Sequence, residues 1–120
     1  MEHIRLGREG EEKTSEFLKN KGFRVIERNW KRPYGEIDIV AFAPDGTLVF
    51  VEVKTLRFTD VGFVPEDHMS REKMLKFKRA AEAYANGHPK LIDENGGWRC
   101  DVVALTKVGK DFLIKHYENV

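Results

Sequence analysis

Two short stretches hold the side chains whose types and spacing could do chemistry: Gly35-Glu36-Ile37-Asp38 and Glu52-Val53-Lys54. Between them lie two runs of strand-forming residues around Pro44-Asp45-Gly46. Pro44 suits the first position of a type I turn, Asp45 the second, and Gly46 the left-handed residue that completes a three-residue loop. That loop sets Ala43 against Thr47, Phe42 against Leu48, Val40 against Phe50, Asp38 against Glu52 and Glu36 against Lys54. Alternation along the strands then predicts Glu36, Asp38, Glu52 and Lys54 on one sheet face, gathered at the end away from the turn. The other face carries Ile37, Ile39, Ala41, Val49, Val51 and Val53 and is wholly apolar. A two-residue Asp45-Gly46 loop would slip the register by one and separate Asp38 from Glu52.

Two carboxylates facing each other in a partly buried place repel strongly when both are ionised, and a bound divalent cation removes that cost. A donor set of oxygens without cysteine or histidine favours Mg²⁺ or Mn²⁺ over Zn²⁺. Lys54 could orient a water or stabilise charge developing on a phosphate, and Glu11 could approach from the first helix. The chemistry this suggests is metal-assisted hydrolysis of a phosphodiester. A plainer reading stays open: a salt-bridged cluster at a strand end, with Glu36 paired across to Lys54 and Glu11 a solvated helix carboxylate.

The elements that must position these groups follow from periodicity. Residues 6–21 read as a helix with Thr14, Phe17 and Leu18 inward, closed by Gly22. Gly7 and Gly10 weaken its start, and one use of such a glycine is close approach of backbone to a neighbour. Residues 23–28 read as a short strand, and 29–34 as a basic, aromatic loop in which Lys31, Arg32 and Trp30 could meet a phosphate and a base. Residues 55–69 show no clear period and read as a long loop. Ser70 is a candidate N-cap for a helix reaching about residue 86, with Met74, Phe77, Ala81 and Tyr84 on one stripe and Arg71, Lys73, Lys76 and Arg79 elsewhere. Of these basic residues Lys73 is the candidate for nucleic acid. Residues 91–97 read as a polar loop, and two strands at 98–105 and 112–117 follow, with Gly109 marking their turn. Cys100 suits a buried strand position, and Asp101 a local bond at the sheet edge. The order helix, three strands, helix, two strands predicts an α/β domain with a central mixed β-sheet flanked by helices.

At 120 residues the chain suits one domain over residues 1–120, able to bury a core without staples. Twenty-one Lys and Arg against twenty Asp and Glu leave a net charge of +1, so any nucleic-acid site must be a local patch. A single cysteine excludes an internal disulfide and a thiolate metal cage, and the four histidines lack zinc-ligand spacing. The charged N-terminus is unlike a signal peptide, and no stretch approaches a membrane span, so the expectation is a soluble cytoplasmic protein.

Gly7, Gly10-Glu11, Gly35-Glu36-Ile37-Asp38, Phe50-Val51-Glu52-Val53-Lys54, Lys73 and Asp101-Val102-Val103 together resemble the YraN-like family of small bacterial proteins. That family is similar to the restriction-endonuclease-like (PD-(D/E)xK) nucleases and to archaeal Holliday junction resolvases. The resemblance implies a restriction-endonuclease-like core in the order αβββαββ. It also implies a metal-dependent nuclease acting on DNA, with branched or junction DNA among the candidate substrates and a homodimer to cut two strands. By the same likeness Glu11, Asp38 and Glu52 would bind Mg²⁺ or Mn²⁺, the backbone carbonyl of Val53 would add a ligand, and Lys54 would assist the water. Glu36 has no settled role in it. Thr14 departs from the family, whose members usually carry alanine there. Two rival functions share the fold: a nucleic-acid-binding module that does not cleave, and a structural or protein-interaction domain.

Overall fold

A computed structural model describes residues 2–57, 69–92 and 96–120. Helix α1 spans Glu2–Asn20, strands β1, β2 and β3 span Arg24–Arg32, Gly35–Phe42 and Leu48–Arg57, and helix α2 spans Arg71–Gly87. A 3₁₀ turn at Pro89–Leu91 leads to β4, Trp98–Val108, and β5, Asp111–Tyr117. The strands form one five-stranded mixed sheet in the order β1-β2-β3-β4-β5. Among the described residues only the β3–β4 pair is parallel, and α2 lies in the crossover that this pairing requires. No helix among the described residues is long and apolar enough to cross a membrane.

Each helix covers one face of the sheet. The α1 side buries Leu18, Phe23, Ile39, Ala41, Val49, Val51, Val103 and Leu105 in one cluster. The α2 side gathers Trp30, Val40, Leu48, Phe50, Phe77, Ala81, Tyr84 and Cys100 in another. Strands β2 and β3 are thus apolar on both faces near their turn, as a central pair must be. Ile37 differs from its expected place on the α1 side: it joins Trp30, its partner across β1–β2, in the α2-side core. Strict alternation along β2 therefore stops at Asp38.

Local chemistry sets the ends of the elements. Gly22, at φ 89°, closes α1 in a Schellman arrangement, with the Phe23 N–H donating to the Leu18 carbonyl at 2.9 Å and Gly22 to Lys19 at 3.0 Å. In the β2–β3 loop Gly46 has φ 91°, its N–H donates to the Ala43 carbonyl at 2.9 Å, and Ala43 donates to Thr47 at 2.9 Å. The Asp45 carboxylate accepts from the Thr47 N–H at 3.0 Å, and the ladder runs Phe42 to Leu48, Ala41 to Val49, Val40 to Phe50 and Ile39 to Val51. This is the register of the three-residue loop. The Ser70 hydroxyl accepts from the Lys73 N–H at 3.1 Å and caps α2.

Three further expectations change. Residues 29–32 are strand, because Trp30, Lys31 and Arg32 pair with Ile37, Glu36 and Gly35, leaving a tight turn at Pro33-Tyr34. Residues 55–57 also belong to β3, held by parallel pairing of Thr55, Leu56 and Arg57 with Leu105, Thr106 and Lys107; the rest of the expected loop, 58–68, lies outside the described residues. Glu36 does not pair with Lys54 in the ladder. Its partner across the sheet is Lys31, with a 3.9 Å contact between their charged ends.

Candidate active site

The β2–β3 ladder ends at Ile39 and Val51, and the next residue on β2 explains why. Asp38 Oδ2 accepts the Val53 backbone N–H at 2.7 Å, so a side chain occupies the position that a backbone carbonyl would take in a continuing ladder. The two strands part here, and Glu52 hydrogen-bonds Asp38 across the gap. The facing of Asp38 and Glu52 thus follows from the turn register and is then locked by the Val53 amide.

Burial and mutual repulsion dominate the electrostatics of this pair. Burial raises the Asp38 carboxyl to about 6, against the Val53 hydrogen bond that favours its anion, with the Glu11 and Glu36 charges raising it further. Burial, Asp38 and Glu36 raise Glu52 to about 8, with Lys54 opposing. Between those values the pair holds one proton where two ordinary carboxyls would hold none. Lys54 is lowered from its ordinary range, first by burial and then by the charge and hydrogen bond of Lys73. A lysine with a lowered pKa gives up a proton more readily than a solvated one.

Glu11 reaches the same neighbourhood from the other face of the sheet because Gly10 lets α1 lie directly on β3. A Cβ on Gly10 would overlap Thr55 Oγ1 and press on Thr55 Cβ and Cγ2, each 3.2 Å away. Glu11 is held by Arg28, with Nη2 3.8 Å from its carboxylate. The Asn29 amide, oriented so that its NH₂ faces that carboxylate, donates to both oxygens at 3.2 and 3.3 Å. Asn29 has φ 54°, a left-handed conformation that asparagine tolerates. Neither Arg28 nor Asn29 is marked by spacing or composition as part of a site, since their role depends on α1 docking against β1.

Glu11, Asp38 and Glu52 do not form one tight triad. Among the described residues, the set of three such side chains whose ligand atoms all lie within 4.8 Å of one another is Asp101, His116 and Glu118, on β4 and beside β5. Asp101 there is wholly buried and fully engaged: it accepts from Arg99 Nε at 3.1 Å and from the Asn119 N–H at 2.9 Å, and meets His116 Nε2 at 2.8 Å. Lys21 Nζ lies 2.7 Å from His116 Nδ1, so the imidazole proton belongs on Nε2, facing Asp101. This network ties the end of α1 to β4 and β5, in keeping with a structural carboxylate.

A cleft of about 320 Å³ opens beside the pair, lined by Gly35, Glu36, Glu52, Lys54, Lys73, Lys76 and Phe77. A second cavity, of about 360 Å³, is formed by residues 31–36 and Lys76 and shares Gly35, Glu36 and Lys76 with the first. Gly35 allows the β1–β2 turn to sit close to α2, since a Cβ there would lie 3.1 Å from Ala80 Cβ. Lys31, Arg32 and Lys73 thus line the cleft or its extension, and Lys76, one helical turn after Lys73, joins them. The i to i+3 spacing of Lys73 and Lys76 was the available sign of that. The overall charge is near zero, yet this region concentrates Lys31, Arg32, Lys54, Lys73 and Lys76.

Relatives share most of the chain. A Flavobacterium johnsoniae UPF0102 protein is 37% identical over 115 residues, covering 96% of this chain and 92% of its own. A Cytophaga hutchinsonii one is 39% identical over 106 residues, covering 88% of each. A Dictyoglomus turgidum one is 48% identical over 84 residues, covering 70% of each. A solved protein of unknown function from Silicibacter pomeroyi is similar over 86% of this chain and 66% of that one, at 18% identity and a TM-score of 0.32. The sequence model of the uncharacterised protein family UPF0102 matches residues 10–105, and with relatives this similar the chain belongs to that family.

Proposed function

We propose that the protein is a Mg²⁺- or Mn²⁺-dependent phosphodiesterase acting on DNA, with a restriction-endonuclease-like core. The observation that carries this reading is the Asp38–Glu52 pair. Two partly buried carboxylates hydrogen-bond each other and hold a shared proton near neutral pH, and one of them, Glu52, lines a cleft with Lys54, Lys73 and Lys76. A pair kept only for stability would be expected to have a cationic partner between its members; here Lys54 is nearby, but both pKa values stay raised. The fit to a hard divalent cation is good: the donors are oxygens, and two carboxylates leave room for the waters such an ion retains.

Asp38 and Glu52 would hold the cation, with the Val53 carbonyl as a further donor. Glu11, pinned by Arg28 and Asn29, would act through water rather than directly. A cation held there supplies Lewis acidity and neutralises charge on the phosphate. Asp38 stays oriented by the Val53 amide, so its carboxylate need not reorganise when charge develops nearby. Lys54, with its pKa lowered, can orient a water at the cleft or, as the neutral amine, accept a proton from it. Lys73, Lys76, Lys31 and Arg32 would position the phosphodiester backbone without reading sequence. Glu36, paired with Lys31, adds negative charge at the rim and raises the affinity for a cation. Branched or junction DNA is included in the proposal, and a homodimer would bring one site to each strand of such a substrate. The single cysteine suits a reducing cytoplasm.

A non-cleaving nucleic-acid-binding module is the second reading, favoured by the basic residues that continue past the carboxylates into the second cavity. One experiment separates them. Labelled duplex, flap and four-way-junction DNA are incubated with Mg²⁺ or Mn²⁺ and the wild type, Asp38→Ala, Glu52→Ala or Lys54→Ala. Product from the wild type that needs metal and disappears in all three variants supports hydrolysis. Salt-sensitive binding without product supports the binding module.

A further inference from the structure

The β1–β2 turn carries a feature that hydrolysis alone does not use. Tyr34 is 54% exposed, at the tip of a turn whose neighbours Trp30 and Gly35 are packed into the fold. Its ring meets Trp30 edge to face, with centroids 6.4 Å apart. Trp30, only 7% exposed, in turn contacts Tyr84 at 5.4 Å, and Tyr84 contacts Phe50 at 5.5 Å. The exposed ring is the outer end of a chain of packed aromatics, so one edge of it rests on the fold while a face stays open. Arg32 lies over the Trp30 ring at 4.5 Å, and its Nη1 donates to the Lys31 carbonyl at 2.7 Å, which fixes the guanidinium beside the same turn.

We propose that the cavity at the β1–β2 turn is a subsite for one unpaired nucleotide, its base against the Tyr34 ring and its phosphates near Arg32 and Lys76. This rests on the reading of Asp38 and Glu52 as a phosphodiester-hydrolysing centre and adds that the substrate is unpaired next to the cut. The volume of about 360 Å³ is at the small end for ligand sites and suits one nucleotide, not the face of a duplex. Lys31, Arg32 and Lys76 outnumber the single carboxylate Glu36, so the cavity favours a phosphate. Bases inside a duplex have both faces stacked, whereas an unpaired base offers one to a protein ring. Tyr34 stands two residues before Glu36, and Glu36 lines both cavities, so the nucleotide bound here adjoins the one at the cleft.

The test is fluorescence anisotropy with one labelled oligonucleotide as a single strand, as a blunt duplex, and as a duplex with an unpaired flap. Millimolar Ca²⁺ is present to neutralise the carboxylates. The wild type is expected to bind the single strand and the flap more tightly than the duplex. Tyr34→Ala should weaken binding of the two unpaired probes roughly tenfold or more, with the duplex unchanged, and Tyr34→Phe should behave as wild type. Thermal unfolding of each variant checks that it is folded, as an exposed ring permits. A wild type that prefers duplex, a Tyr34→Ala variant with unaltered single-strand affinity, or failure to bind any probe overturns the subsite. Preference for unpaired DNA with no metal-dependent product supports the subsite and sinks only the hydrolytic reading. Cleavage of blunt duplex independent of Tyr34 does the reverse. A ribo-oligonucleotide of the same sequence shows which sugar the subsite accepts.

Discussion

Glu52→Gln should make the metal-free protein more stable at alkaline pH, although it removes a charged group from the surface of a cleft. The Glu52 carboxyl moves from an ordinary 4.5 to about 8 on folding, so the folded state keeps a proton that the unfolded chain releases. The resulting penalty is absent below about pH 4, grows as pH rises towards 8, and is constant above it. At about 1.4 kcal/mol per pH unit the upper bound is about 5 kcal/mol, and solvent screening and relaxation reduce it to the order of 2–3 kcal/mol. Glutamine has nearly the same shape, cannot ionise, and can still donate to Asp38. In EDTA, urea unfolding at pH 9 should therefore show Glu52→Gln more stable than wild type by on the order of 2–3 kcal/mol, with the gap closing by pH 5. Adding Mg²⁺ or Mn²⁺ should narrow that gap, since a cation at ten times its Kd stabilises the wild type by about 1.4 kcal/mol and leaves the variant unchanged. Parallel pH profiles for the two proteins, or equal stabilisation by metal, would refute the reasoning that Asp38 and Glu52 oppose each other in a buried site.

Other changes probe the elements that hold the site. Gly10→Ala should destabilise by about 1–3 kcal/mol through overlap with Thr55, and Thr55→Ala in the same chain should recover part of it; additive effects in a double-mutant denaturation cycle would contradict the close helix–strand contact. Tyr84→Phe should cost about 1.5–3 kcal/mol in denaturant unfolding, because the Tyr84 hydroxyl donates to Glu27 at 2.7 Å and its removal leaves that partly buried carboxylate short of a partner. Thr14→Ala should be neutral or stabilising by up to about 1 kcal/mol by thermal unfolding, since the Thr14 hydroxyl is buried without a hydrogen-bond partner among the described residues; a loss beyond about 1 kcal/mol would mean that its oxygen is satisfied.

The parts of the site that could be read from sequence are those controlled by local chemistry. Pro44-Asp45-Gly46 dictates the hairpin loop, the loop dictates register, and register brings Asp38 towards Glu52. Ser70 and Gly22 mark helix ends by the same local logic. What escaped depends on distant partners. Residues 29–32 lack strand-like alternation, and they are strand because β2 supplies their hydrogen bonds. Thr55, Leu56 and Arg57 extend β3 through parallel pairing with β4, some fifty residues on, which no local pattern signals. Perfect alternation would have set Glu36 against Lys54, but the Asp38 carboxylate takes the Val53 amide, the strands part, and Glu36 turns to Lys31. The hold of Arg28 and Asn29 on Glu11 exists only once Gly10 has let α1 settle on the sheet.

The central claim is that Asp38 and Glu52 share a proton which a divalent cation displaces. Isothermal titration of Mn²⁺ at pH 7, in two buffers of different ionisation enthalpy, counts that proton directly. With Asp38 near 6 and Glu52 near 8, about one proton should be released per cation bound, and Glu52→Gln should abolish both the heat and the release. Binding heats that do not depend on the buffer, or that survive in Glu52→Gln, would contradict it.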